Sequence, residues 1–141
     1  MKTLKSIALG LLFLAGIGAA NATEKPADRL SKTHAINTYI DAMSRGRLQG
    51  FNEVLDASAK FSILRGSKVM SVGKTEMLAF MKGDQNVEQT CTVSTGDVDD
   101  NNDVSVVKVD MKYNGFTRSN YVTVANTGEG WKITNVYSVF K

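Results

Sequence analysis

KYNGFTRSNYVTV, residues 112–124, decides the fold. Asn114-Gly115 sits between two alternating stretches and is the strongest short hairpin signal in the chain, because a type I′ turn needs positive φ at both central positions. A two-residue turn there pairs Tyr113 with Phe116, Met111 with Arg118, Val109 with Asn120 and Val107 with Val122. Directly paired residues share a face. These residues and Val124 therefore form one face, and Lys108, Asp110, Lys112, Thr117, Ser119, Tyr121 and Thr123 lie on the other. The first set is the inner face, yet it carries Arg118 and Asn120. An unpaired buried arginine costs several kcal/mol and an unbonded amide roughly 1–3. Both need partners: each other, helix-end carbonyls, water or a ligand.

The last strand continues the pattern. Trp131, Ile133, Asn135, Tyr137 and Val139 alternate with Lys132, Thr134, Val136, Ser138 and Phe140. A four-residue loop, Thr127 to Gly130, sets Asn120 opposite Tyr137 and Val122 opposite Asn135. A loop one residue longer reverses the faces. On the shorter-loop register Arg118, Asn120, Asn135 and Tyr137 converge on an aliphatic lining, the usual composition of a small-molecule pocket. Two plainer accounts compete. Arg118 can sit at the rim and reach water while its stem covers Met111, and the asparagines can bracket the sheet internally.

Upstream, Asp28 to Arg45 reads as a helix with Ile36, Tyr39, Ile40, Met43 and Arg47 in one arc. Tyr39 lies at the edge of that arc and can aim its hydroxyl inward, so it joins the pocket candidates. A second short helix carries Leu48, Phe51, Val54 and Leu55. Strands Lys60–Leu64 and Lys68–Val72 then flank the turn Arg65-Gly66-Ser67. The stretch GKTEMLAFMKG predicts a short helix burying Met77, Leu78, Phe80 and Met81 at least in part. Strands follow over Val87–Asp97, Val104–Tyr113, Phe116–Ala125 and Trp131–Phe140, with DVDDNND as an acidic turn. Consecutive strands joined by tight turns are antiparallel, so the class is α+β.

The chain opens MKTLKSIALGLLFLAGIGAANA. Two lysines, an apolar run from Ile7 to Ile17 and the small-x-small site at Ala20-Asn21-Ala22 predict a signal peptide over 1–22, cleaved after Ala22. A flexible tail over 23–27 and one domain over 28–141 follow, in the periplasm or outside the cell, with no membrane anchor once the signal is removed. The formal charge of +3 drops when Lys2 and Lys5 leave, and no basic cluster remains to argue for nucleic acid. Cys91 is the single cysteine, which allows no internal disulfide; its strand-like surroundings predict a buried thiol. One histidine and one cysteine make a His/Cys zinc site improbable, so neither a metal nor a cofactor is expected. His34 and Asp41 fall on the wet side of the first helix, and no inward general base is identified.

The long helix holding AINTYIDAMSRGRLQGFNEVLD, the hairpin, the GKTEMLAFMK helix and the closing GEGWKITNVYSVFK together resemble the nuclear transport factor 2-like (SnoaL-like) superfamily. The resemblance is greatest to exported bacterial members of the putative lumazine-binding type. It implies an NTF2-like cone: about three helices in the N-terminal half, packed in a strongly bent, mainly antiparallel sheet of about six strands around a pocket. It also implies homodimers through the outer sheet face, where Tyr121, Val136 and Phe140 are the apolar candidates. Superfamily members include enzymes and binders alike, so the fold does not give the function. The reading is a non-catalytic domain binding a small organic molecule. The alternatives are a ketosteroid-isomerase-like or dehydratase-like enzyme and a dimeric interaction module with a vestigial pocket.

Overall fold

The structure is a computed structural model, described here for residues 26–141; the expected signal peptide lies outside the described residues. Helix α1 (Pro26–Arg29) opens with a proline, whose fixed φ suits a first helical position. Ser31 then breaks what the periodicity suggested was one helix. Its backbone is extended, and its Oγ accepts from the His34 amide at 3.0 Å while donating to the Asp28 carbonyl at 2.7 Å. That N-cap starts α2 (Lys32–Arg45), which buries Ala35, Ile36, Tyr39 and Ala42.

Gly46 ends α2 in the left-handed conformation, at φ 67°. Here glycine is required twice over. A Cβ would meet the Asp84 carbonyl oxygen at 2.5 Å and the Asn86 and Val87 nitrogens at 2.7 and 2.8 Å. Residues 84–89 fold over this point, with the Asn86 amide on the Gly46 carbonyl at 2.9 Å and the Gln89 amide on the Ser44 carbonyl at 2.7 Å. Residues 85–91 are thereby spent on the helix end, and the strand expected from Val87 begins at Thr92 instead. Cys91, at its threshold, is half-buried rather than enclosed.

The second helix shrinks to one turn, α3 (Phe51–Val54), and the chain runs straight into β1 (Leu55–Arg65). Strand β2 (Lys68–Gly73) returns antiparallel, and α4 (Lys74–Met81) follows, continued by a short 3-10 turn over Lys82–Asp84. Helix α4 buries Met77 and Met81, but Phe80 points away from the core and is 74% exposed. The remaining strands are β3 (Thr92–Asp100), β4 (Val104–Tyr113), β5 (Phe116–Thr127) and β6 (Gly130–Phe140). Asn101 holds the acidic turn, its Oδ1 accepting from the amides of Asp103 and Val104.

The sheet order is β2-β1-β6-β5-β4-β3, antiparallel throughout except where β1 lies parallel to β6. The β4–β5 register is the expected one: Tyr113 with Phe116, Met111 with Arg118, Val109 with Asn120, Val107 with Val122. The turn itself is not type I′, since Gly115 has φ 94° while Asn114 is not among the positive-φ residues. Helix α2 packs on β4, β5 and β6, and α4 on β1 and β2. Between them lies a core of Tyr39, Phe51, Val109, Val122, Val124 and Ile133, each at 0% exposure.

The β5–β6 register differs from expectation. The connection is a two-residue turn, with Thr127 paired to Gly130, and β6 carries a bulge: Val124 pairs with Ile133, but Thr123 pairs with Asn135. Thr134 is the extra residue. Up to Ile133 the faces run as expected; beyond Thr134 they reverse. Val136, Ser138 and Phe140 therefore line the concave side, while Asn135 and Tyr137 turn outward.

Candidate functional site

Three of the five candidate residues come together inside the sheet. Asn120, fully buried, donates Nδ2 to the Val109 carbonyl at 3.0 Å across the hairpin. Its Oδ1 accepts from Arg118 Nε at 2.9 Å and from Ser138 Oγ at 2.6 Å. Ser138 Oγ accepts in turn from Arg118 Nη2 at 3.4 Å. Arg118 is thus turned inward and tied to the sheet by two neutral partners. The ion pairs among the described residues are Lys32–Asp100, Arg45–Asp41 and Lys108–Asp110. None involves Arg118, whose charge forms no ion pair among the described residues.

Tyr39 completes the group from helix α2. It is fully enclosed, its ring 6.3 Å from that of Phe51, and its hydroxyl has no hydrogen-bond partner among the described residues. Burial pushes its pKa up to about 12; the Arg118 charge works against that rise and Tyr113 adds to it. Tyr113, half-buried, also titrates above its ordinary value, through burial first and then the adjacent Cys91. Its hydroxyl donates to Gln89 Oε1 and lies 3.8 Å from the Met111 sulfur. The result is a polar patch on the concave face, built from Tyr39, Arg118 and Asn120 as expected and from Ser138 and Tyr113 in addition.

Asn135 and Tyr137 do not belong to it. The Thr134 bulge sets Tyr137 beside Tyr121 and Asn135 beside Thr123 on the convex face. The same reversal removes two of the three residues proposed for a dimer surface. Val136 is 1% exposed in the core, and Phe140 pairs with Arg118 on the concave side. Tyr121 alone of that trio stays outward. Ser138 was missed because the same one-residue register step hid it. His34 is half-buried, with Nε2 3.4 Å from Thr38 Oγ1 on its own helix. Among the described residues no group of three or more His, Cys, Asp or Glu is placed to hold a metal. No helix among them is long and apolar enough to cross a membrane.

The concave face runs on past the helices at the open end of the sheet. Phe116 and Phe140 remain 43% and 37% exposed there. Tyr113 stacks on Phe116 at 4.7 Å between centroids, and Phe116 lies 6.2 Å from Phe140. The guanidinium carbons of Arg118 and Arg65 sit 5.6 and 5.7 Å from the Phe140 ring centre. A cleft of about 420 Å³ opens here, lined by Leu64, Arg65, Gly66, Phe116, Phe140 and Lys141.

The architecture is that of the NTF2-like α+β domains. An NTF2-like protein of unknown function from Silicibacter pomeroyi DSS-3 superposes with a TM-score of 0.61 at 17% identity, covering 77% of this chain and 90% of that one. Another from Methylobacillus flagellatus KT gives 0.61 at 15%, covering 85% and 95%. A protein of unknown function of the DUF3225 family from Pectobacterium atrosepticum SCRI1043 gives 0.61 at 18%, covering 82% and 92%. At these identities the likeness is one of fold. The sequence model of the family described as putative lumazine-binding matches residues 28–138, and the chain belongs to that family. No curated protein matches the sequence.

Proposed function

We propose that this protein is an exported, non-catalytic binder of a small organic molecule, which presents an oxygen acceptor to Tyr39 and Arg118 on the concave face of the sheet. One observation carries the reading. The Tyr39 hydroxyl is wholly buried with no hydrogen-bond partner among the described residues, beside a half-buried guanidinium that forms no ion pair among them. An unsatisfied buried hydroxyl costs roughly 1–3 kcal/mol, so native structures rarely retain one without use. A carbonyl or carboxylate oxygen between the two groups would accept from both and neutralise the charge.

Catalysis by proton transfer needs a base near the tyrosine. The groups acting on Tyr39 are a guanidinium and a second tyrosine, neither of which is a base at neutral pH. That favours binding over an isomerase-like or dehydratase-like reaction. The apolar leader with its Ala20-Asn21-Ala22 site supports export. The test is native mass spectrometry of protein purified gently from the envelope fraction of its own host. A mature chain beginning at Thr23, with a reproducible extra small-molecule mass that is lost in Arg118→Leu, is the expected result. A ligand-free species would overturn the binding reading, and the intact mass of an uncleaved chain would overturn export.

A further inference from the structure

The open end of the sheet carries a feature that the interior patch does not require. Arg65, the last residue of β1, and Lys141 flank the 420 Å³ cleft, with Phe116 and Phe140 as its apolar surfaces. Arg118 lies within cation–π range of the same Phe140 ring. No Asp or Glu side chain lines the cleft, the carboxyl oxygen of Lys141 is engaged by the Thr117 amide at 3.1 Å, and neither Arg65 nor Lys141 forms an ion pair among the described residues. Contiguous aromatic rings left exposed beside uncompensated cations mark a binding surface rather than a solvated edge. The volume falls within the range of small-molecule sites. Both rings are already fixed by neighbours, Phe116 by Tyr113 and Phe140 by two guanidiniums, so little side-chain freedom remains to be lost on binding.

We infer that this cleft is a binding site for a planar aromatic anion, its ring against Phe116 and Phe140 and its negative group between Arg65 and Lys141. The site stands on these four residues and does not depend on a ligand reaching Tyr39. Its chemistry selects a flat body over a flexible acyl chain, because two aromatic faces set 6.2 Å apart reward stacking and edge contacts. It selects an anion over a neutral analogue, because the charged side chains of its rim, Arg65 and Lys141, are both basic.

The probe is naphthalene-2-carboxylate, and its control is naphthalene-2-carboxamide, with the same ring and no charge. Each is titrated into the purified protein and followed by amide chemical shifts. The carboxylate is expected to move the amides of Arg65, Gly66, Phe116, Phe140 and Lys141. Arg65→Ala, at the exposed end of β1, is expected to weaken it about fivefold, the worth of one exposed charge pair, while leaving the carboxamide unchanged. Phe140→Leu is expected to weaken both. Equal affinity for carboxylate and carboxamide would overturn the anion assignment. An absence of shifts at these amides would overturn the site, even if Tyr39 and Asn120 respond, in which case the interior reading survives alone. Concentration-dependent shifts at the same amides before any probe is added would assign the cleft to a second copy of the chain and overturn the small-molecule assignment.

Discussion

Replacing Tyr39 by phenylalanine removes one oxygen and leaves the ring, its contact with Phe51 and the packing of α2 unchanged. In the ligand-free protein that oxygen is a net cost, since no described residue replaces the water it gave up. The orphan penalty of roughly 1–3 kcal/mol should be recovered, so Tyr39→Phe is expected to be more stable by about 1–2 kcal/mol at pH 7. For a domain of this size that raises Tm by about 4–8 °C. The pH dependence gives a second reading. The folded protein holds the Tyr39 proton up to about pH 12, whereas the unfolded chain releases it near the ordinary value of 10.0. The native state therefore binds more protons across that window. Its stability is intact below pH 10 and falls as pH rises towards 12, by up to about 3 kcal/mol from this group. The variant should lack that fall. The assay is urea unfolding of both proteins at pH 7 and pH 11, each first denatured and refolded to strip any co-purified molecule. If Tyr39→Phe is destabilised by about 1 kcal/mol or more at pH 7, the hydroxyl has a partner in the folded protein. The inference drawn from its isolation then fails, and with it the main support for a ligand at Arg118.

Three other outcomes are expected. Gly46→Ala should cost more than about 3 kcal/mol, because it adds left-handed strain to a Cβ lying 2.5–2.8 Å from three backbone atoms. Gly66→Ala, also at positive φ but with nothing within 4 Å, should cost only about 1–2; equal losses in denaturant melts would show that the loop over Gly46 yields. Asn120→Leu should destabilise by about 2–4 kcal/mol, since it strands Arg118 Nε, Ser138 Oγ and one bond to the Val109 carbonyl in a fully buried position; a neutral result would mean that Arg118 swings out to water. At the opposite end, Lys32 and then Ser105 hold the Asp100 carboxyl below its ordinary value. Its contribution to stability is therefore present above about pH 4 and lost as pH falls through the depressed pKa. In Lys32→Met, carbon-detected NMR titration should find Asp100 titrating at higher pH; an unchanged midpoint would discount the contact.

How much of the site could be read from the chain is clearest at residues 116–124 and 131–140. Both strands alternate apolar and polar residues equally well. The first is anchored by a two-residue turn whose residues announce themselves, so the placement of Arg118 and Asn120 on the inner face followed from counting and agrees with the structure. The second also begins at a two-residue turn, but Thr134 is then inserted without a partner. No local residue type signals that bulge. One unpaired residue exchanges Asn135 and Tyr137 for Val136, Ser138 and Phe140 on the concave face, and so replaces two expected site residues with the hydroxyl that braces Arg118 and the ring that forms the cleft.

The sequence by itself determined what depends on neighbours along the chain: the α+β class, the β4–β5 register, and the presence of an arginine and an asparagine on an inner face. Tertiary structure decided what depends on segments far apart in sequence. β1 lies parallel to β6, a pairing that no turn connects and no alternation encodes. Residues 85–91 are drawn onto the end of α2 by hydrogen bonds to Ser44 and Gly46. The β6 bulge puts Val136 and Ser138 into the core. Each of these is settled by which burial the whole domain can satisfy at once, because a strand's period of two leaves both faces open until the sheet and its helices close around one of them.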